Sequence, residues 1–170
     1  MAPDPPAAIT GIRYKKRFKY PLLYIPASYI PIDEKIALMK QAIEAGDNVN
    51  QLDPTPDRRY SRGRPLNVAV DSDILSPAHL KENIPVVKFL LEHGADPRLP
   101  GGALSSGSAI DDMRDYSSFK GDYWNDLKPF FTEALALMEE AARKLDEQDA
   151  RRARWHAFFN RFKFWETAEE

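Results

Sequence analysis

A helical pattern closed by a glycine occurs twice in the chain and constrains its fold more than any other feature. In residues 84–97, IPVVKFLLEHGADP, apolar side chains recur at the i, i+3 and i+4 spacing of one buried helix face: Val87, Leu90 and Leu91. Gly94 follows where a helix C-terminus favours a left-handed residue, so the helix should end there. Gly46 takes the same place 48 residues earlier, behind an equivalent apolar set: Met39, Ala42 and Ile43. A helix that recurs with its terminator predicts a repeat protein.

Short motifs around these helices resemble those of the ankyrin-repeat family. Residues 63–70, GRPLNVAV, resemble its glycine-x-threonine-proline-leucine-histidine-x-alanine opening, and residues 107–113, GSAIDDM, are similar to a further opening. Residues 93–96, HGAD, and 46–50, GDNVN, resemble the close of a repeat. The resemblance covers residues 32–116. It implies an all-α fold, a short ankyrin-like solenoid, and recognition of a protein partner through loops and a concave helical face.

The chain departs from the family pattern in spacing and in two motif residues. The openings and closes lie 44 and 48 residues apart, whereas the family period is roughly 33 residues. We therefore expect the surplus in loops at 51–62 and 71–83. Arg64 replaces the motif threonine and Asn67 its histidine, so the hydrogen bonds of those side chains should be altered or lost.

Composition limits the classes of function open to this chain. Its 170 residues suffice for one domain, and the absence of cysteine excludes disulfides and cysteine-ligated metals. The start carries no signal-peptide pattern, and no apolar run reaches the roughly 20 residues of a membrane span, so we expect an intracellular protein, cytoplasmic or nuclear. The three histidines share no ligand spacing, and no catalytic or phosphate-binding motif is present. We expect neither enzymatic activity nor a cofactor or metal.

Residues 1–31 are predicted to form an extended, basic and proline-rich arm. Five basic residues without an acid lie in residues 11–20: Arg13, Lys15, Lys16, Arg17 and Lys19. They are typical of contact with an anionic surface, such as nucleic acid or membrane. Alternatively, the interleaved aromatic residues lie over the first repeat and leave the basic side chains in water. Prolines break any regular helix up to Pro31, and Asp33 is a candidate cap for the helix that follows.

Two loops within the repeats are candidate partner-binding segments. In an ankyrin fold, residues 51–62 would form a hairpin finger, here called the first finger loop, and residues 98–106 a second finger loop. Tyr and Arg are enriched at protein interfaces. The candidate contact residues of the first loop are Asp57, Arg58, Arg59, Tyr60 and Arg62. Those of the second loop are Leu99 and Leu104. The alternative for the first finger loop is an ordinary solvated loop.

Residues 117–170 are predicted to form a C-terminal region that caps the last repeat with a long helix beginning near Asp126. Asn125 or Asp126 would cap it, with Pro129 in its first turn, where proline is tolerated. One apolar stripe should pack on the repeats, and its residues are Leu127, Phe130, Phe131, Ala134, Met138, Ala141, Ala142 and Leu145.

A second stripe near the C-terminus is aromatic. Its residues are Trp155, Phe158, Phe159, Phe162 and Trp165, within an arc of about 120° that is displaced by roughly 100° from the first stripe. Either the helix breaks within residues 146–150, or this face points away from the repeats. Such a face is typical of a partner or membrane surface, unless it folds back on the protein itself. An alternative function follows, in which the basic arm and this helix anchor the protein to an anionic surface or to neighbouring subunits.

Overall fold

The computed structural model describes residues 21–55, 61–101 and 107–166, with the backbone alone at residue 21 and over 160–166. Its seven α-helices are α1 (Pro21–Tyr24), α2 (Ile32–Glu44), α3 (Pro65–Val70), α4 (Pro77–Glu82), α5 (Ile84–Glu92), α6 (Ala109–Ser118) and α7 (Asp122–Glu166). A 3-10 turn at Ile25–Ala27 follows α1. The structure is 69% helical, with no strand among the described residues, which confirms the all-α class. The solenoid stays a prediction.

The two predicted helix terminators have the same backbone geometry. Gly46 and Gly94 have φ angles of 99° and 91°, in the left-handed region. The amide of Asp47 donates to the Ala42 carbonyl at 2.9 Å, and the amide of Ala95 donates to the Leu90 carbonyl at 2.9 Å. These bonds cap otherwise unpaired carbonyls in a Schellman-type close. Both predicted helix ends are therefore confirmed, and α2 and α5 close alike.

Helix α5 is buried on more sides than one amphipathic face explains. Val87 and Leu90 of the predicted face are fully buried, but Leu91 is only half-buried. Val86 and Phe89, which lie off that face, are also buried, because α5 contacts α2 and α3 as well as α7. In α2, Met39 and Ala42 are buried as predicted, whereas Ile43 is half-buried.

The segment after residue 20 differs from the predicted extended arm. Residues 21–27 form α1 and the 3-10 turn, which pack on α2 and α3. Leu22, Leu23 and Ile25 are buried, so this segment contributes to the core. The proline pattern concealed these helical turns because a helix tolerates proline in its first turn. Asp33 is not the cap of α2; it lies in the first turn, behind Pro31.

The predicted loop at 71–83 contains a helix of its own. Helix α4 begins at Pro77, where proline suits the first turn of a helix. Leu75 and Leu80 are buried, with 2% and 0% of their surface exposed. These two leucines attach the extra residues to the core, so much of the surplus length between openings forms structure.

Helix α7 begins earlier than predicted. The apolar stripe predicted along it is confirmed. Its first residue is Asp122, so Pro129 lies inside the helix rather than in its first turn. The rings of Trp124, Tyr116 and Phe131 lie within 5.9 Å of one another by centroid and hold the first turns against α6. Six residues of the stripe are buried: Leu127, Phe130, Phe131, Ala134, Met138 and Ala142. The remaining two, Ala141 and Leu145, are half-buried.

A lysine lies at the centre of a buried polar network. Lys35 is 1% exposed, and its Nζ donates to the Pro26 carbonyl at 3.1 Å and to Asn83 Oδ1 at 3.1 Å. Asn83 in turn donates to the Ala69 carbonyl at 2.6 Å. The network joins the 3-10 turn, α2, α3 and the start of α5. Burial lowers the pKa of Lys35, partly opposed by Glu82.

Two neighbouring leucines of α5 should differ in their contribution to stability. We expect Leu90→Ala to lower the free energy of unfolding by about 2–5 kcal/mol, the usual cost of truncating a buried leucine. Leu91→Ala should cost about half of that or less, because Leu91 is half-buried. Urea denaturation measures both. Equal losses would contradict the packing of α5 described above.

The lowered pKa of Lys35 predicts a pH dependence of stability. The unfolded chain retains its proton up to the ordinary value of 10.5, whereas the folded protein releases it at lower pH. The free energy of unfolding should therefore rise with pH between the lowered and the ordinary pKa. Lys35→Met removes this contribution, so the stability of the wild type relative to this variant should increase as the pH rises through that range. A difference that stays constant with pH would contradict the prediction.

Candidate functional site

The bases of the two finger loops are closed by equivalent hydrogen bonds and lie side by side. The amide of Asp53 donates to the Gly63 carbonyl at 2.8 Å, and the amide of Gly101 donates to the Gly107 carbonyl at 3.0 Å. Arg64 joins the loops, because its Nε donates to the Pro100 carbonyl at 3.0 Å. Its guanidinium also donates to the Asn50 carbonyl. The residue that replaces the motif threonine thus links both loops.

The backbones of the loops come close together at Gly63. Its φ of 79° lies in the left-handed region, and a Cβ built there would lie 2.5 Å from the Gly101 carbonyl oxygen. A side chain at this position would collide with backbone of the second loop. Glycine is therefore required at this position for two reasons: its left-handed backbone conformation and the absence of a side chain.

Asn67, which replaces the motif histidine, joins α3 to α6. Its Oδ1 accepts from the amide of Arg64 at 3.2 Å, and its Nδ2 donates to Asp112 Oδ2 at 3.2 Å. In the predicted opening at 107–113, Asp111 Oδ2 accepts from the amide of Ser108 at 3.0 Å. Both helices therefore start with the same local turn. The departure at Asn67 changes the hydrogen bonds at this position without leaving it unbonded.

Asn50 joins the two repeated closes. Its Nδ2 donates to the Gly94 carbonyl at 2.8 Å, and its Oδ1 accepts from the amide of Asp96 at 2.8 Å. The side chain of Asn50 therefore gives hydrogen-bond partners to one backbone carbonyl and one backbone amide in the segment that follows α5. This contact fixes the first finger loop to the start of the second.

A cavity of about 130 Å³ lies where α3, α6 and the bases of both loops meet. Its polar lining includes Arg62, Asp71, Asp73, Asp112 and Tyr116. Burial raises the pKa of Asp71, and the neighbouring carboxylate of Asp73 adds to the effect. Burial likewise raises the pKa of the Tyr116 hydroxyl, with a contribution from nearby carboxylates. The cavity is therefore an acidic surface with one arginine at its side.

Few of the predicted loop residues lie within the described structure. Arg62 is exposed beside the cavity, and its amide donates to Asp53 Oδ2 at 2.8 Å. Leu99 is half-buried. The other loop predictions lie outside the described residues: Asp57, Arg58, Arg59, Tyr60 and Leu104. The same holds for the basic residues of the N-terminal arm: Arg13, Lys15, Lys16, Arg17 and Lys19.

Two residues that line the cavity were not identified from the sequence, and a third, Asp71, was placed in a loop. Asp112 and Tyr116 were not predicted to line a site, although the predicted opening at 107–113 includes Asp112. Asp71 falls at the start of the loop predicted at 71–83, yet burial raises its pKa. Among the described residues, no group of three His, Cys, Asp or Glu side chains is arranged to hold a metal ion.

The C-terminal aromatic residues lie on an unbroken helix. Helix α7 continues through residues 146–150 to Glu166, so the predicted alternative of a break is wrong. Trp155, Phe158 and Phe159 are 60%, 52% and 56% exposed, so this face points away from the described core. Trp155 stacks on Phe159 with ring centroids 5.6 Å apart. Phe162 and Trp165 lie on the same helix, beyond the described side chains.

Arg98 attaches α7 to the body at the point where the helix leaves it. The guanidinium donates to Asp146 Oδ1 at 2.5 Å and lies 3.1 Å from Asp149 Oδ2. It also bonds both carboxylate oxygens of Asp96, at 3.0 and 2.9 Å. Burial of Asp96 would raise the pKa of its carboxyl, but the bonds from Arg98 hold it below its usual value. From Ala150 to Phe159 all described side chains are exposed.

Comparison with known proteins leaves the chain without an assigned relative. No family model, no curated protein and no solved structure matches it. In the described part of the chain, none of the helices combines the length and the apolar character needed to cross a membrane.

Two glycines with similar φ angles should respond differently to alanine. Gly46→Ala should cost about 1–2 kcal/mol, the strain of a left-handed alanine, because no atom lies within 4 Å of its built Cβ. Gly63→Ala should cost a further 1–3 kcal/mol or so, as overpacking against backbone does. Thermal or urea unfolding compares the two variants. Equal costs would show that the finger loops can separate without loss.

Proposed function

We propose that this protein is a protein-binding module that presents its finger loops and the adjoining helical surface to a protein partner. The observation that carries the proposal is the way in which both loops are held. They are closed by equivalent backbone bonds and joined to each other through Arg64. Loops supported on a rigid scaffold are where binding residues are concentrated in proteins.

The energetic advantage of this arrangement is low entropy loss on binding. A free loop must be ordered when it docks, at a cost of roughly 0.5–1.5 kcal/mol for each immobilised flexible side chain. Here Asn50 bonds the Gly94 carbonyl behind α5, Arg64 bonds the Pro100 carbonyl of the second loop, and the Gly63 backbone lies against that loop. The partner therefore meets loops whose bases are already held by hydrogen bonds.

Arg62 is the described residue best placed to test this function. Its side chain is exposed at the cavity beside α3 and α6, while its backbone amide remains tied to Asp53. Arginine is among the residues most often found at energetic hot spots of interfaces. A substitution of this side chain can therefore remove partner contacts without removing the backbone bond that closes the loop.

Binding of a captured partner should depend on Arg62. We expect Arg62→Glu to weaken binding by roughly 30-fold or more, the effect of losing a hot-spot residue, in protein that circular dichroism shows to be folded. Lys40→Glu is the matched control, because Lys40 is exposed on α2 and its contact with Glu44 is a 4.0 Å surface pair. Quantitative affinity capture followed by titration of the purified partner measures all three proteins.

Two outcomes would contradict the proposal. Equal binding by the wild type and Arg62→Glu would exclude this surface of the first finger loop. Binding that is retained in Arg62→Glu but falls steeply with salt would favour the alternative in which basic segments attach to a phosphate-bearing surface.

A further inference from the structure

A second surface, independent of the finger loops, lies along α7. Helices α5 and α7 enclose a groove of about 460 Å³. Its floor is mostly apolar, and its lining includes Leu91, Leu137, Ala141, Lys144, Leu145 and Gln148. Leu91 and Leu145 are half-buried, so the groove exposes apolar surface that the described part of the protein leaves partly uncovered.

The groove and the aromatic residues lie on one face of the same helix. From Leu137 the groove residues Ala141, Lys144 and Gln148 follow at steps of four, three and four residues. The same alternation continues through Arg151 to Trp155 and Phe158, and these three residues also line a common hollow. Alternating steps of three and four define the seam of a coiled coil. This seam begins in the groove and ends in the aromatic face.

We infer that a second copy of this chain binds here, in an antiparallel pair of α7 helices. The groove residues on α7 are centred near residue 143 and the described aromatic residues near 157, so the midpoint lies near residue 150, next to Asp149. A two-fold axis at that level places the aromatic end of each helix over the groove of the other. Such a contact is isologous and closes on itself, as in the commonest protein dimers.

The position at which α7 leaves the body fits this axis. Arg98 holds Asp146 and Asp149, and the described side chains beyond Asp149 are exposed. Each copy therefore projects only the half of the seam that carries the aromatic residues. The other half remains on the body, where α5 forms the second wall of the groove. Ala141 leaves room there for a large ring from the partner.

Charge complementarity supports the same pairing. Residues 139–149 contain five acidic and two basic residues, whereas residues 151–159 contain three arginines and no acid. Antiparallel pairing about residue 150 brings the basic segment of one copy beside the acidic segment of the other. Parallel pairing would place like charges together, which is unfavourable.

The helix is less suited to an anionic membrane. An interfacial helix presents a strongly charged face opposite its apolar face. Opposite Trp155 and Phe158, this helix carries Ala150, Ala153 and Ala157.

Six aromatic side chains, three from each copy, bury roughly 150–250 Å² each at most. They supply much of the roughly 1,000 Å² that a specific interface requires.

Analytical ultracentrifugation of the full chain tests the pair. We expect a reversible dimer, weakened roughly 30-fold or more by Trp155→Ala, as for a hot-spot aromatic residue. Ala141→Phe, which fills the groove, should weaken it as well. Tyr123→Ala is the control, because it removes an exposed aromatic side chain at the opposite end of α7 and should leave the dimer intact.

Cross-linking through single cysteines tests the geometry, since the chain has no native cysteine. Gln148→Cys should form a covalent dimer with a short thiol cross-linker, whereas Ala150→Cys, on the opposite face, should not. Three results would overturn the inference: a monomer at all concentrations, a dimer unaffected by both Trp155→Ala and Ala141→Phe, or equal cross-linking at both positions. A monomer that binds phosphatidylserine vesicles through Trp155 would instead assign the face to a membrane. None of these outcomes depends on Arg62, so this inference and the proposed function can fail separately.

Discussion

The burial of α5 on several sides is the contact on which the rest of the structure depends. Its apolar residues face α2 and α3 on one side and α7 on another, so Val86, Val87, Phe89 and Leu90 are all buried. The backbone behind α5 then carries the second close and the start of the second finger loop. A change in the position of this helix would therefore move both the loop surface and the groove along α7.

Polar side chains make this packing specific. Lys35 and Asn83 bond carbonyls at the ends of short elements, which would otherwise be buried without partners. Unpaired carbonyls in a core cost about 1–3 kcal/mol each, so these residues favour one arrangement of the 3-10 turn, α3 and α5. Asn50 and Asn67 have a comparable role: Asn50 joins the segments that follow α2 and α5, and the buried Asn67 joins α3 to α6. The loops are therefore held from behind by hydrogen bonds that involve side chains.

The first half of α7 is packed on the core, whereas its second half is exposed. Up to Ala142 its buried stripe completes the core, and from Ala150 onward its described side chains are exposed. Arg98 marks the boundary, because it neutralises Asp146 and Asp149 as the helix departs. A helix that is anchored over its first half and unbroken over its second carries the aromatic residues about two to five turns beyond the groove.

Local patterns in the sequence determined the helix terminators, the all-α class and the apolar stripe of α7. Each depends on residues a few positions apart, such as Gly94 behind Leu90, whose physics acts within one helical turn. The helical turns around Pro26, helix α4 and the early start of α7 depended instead on distant contacts that the local pattern does not contain. Tertiary structure alone brought Asp112 and Tyr116 to the cavity beside Arg62. It also placed Leu91 and Ala141 in one groove, because the distance between residues remote in sequence is set by how whole helices pack.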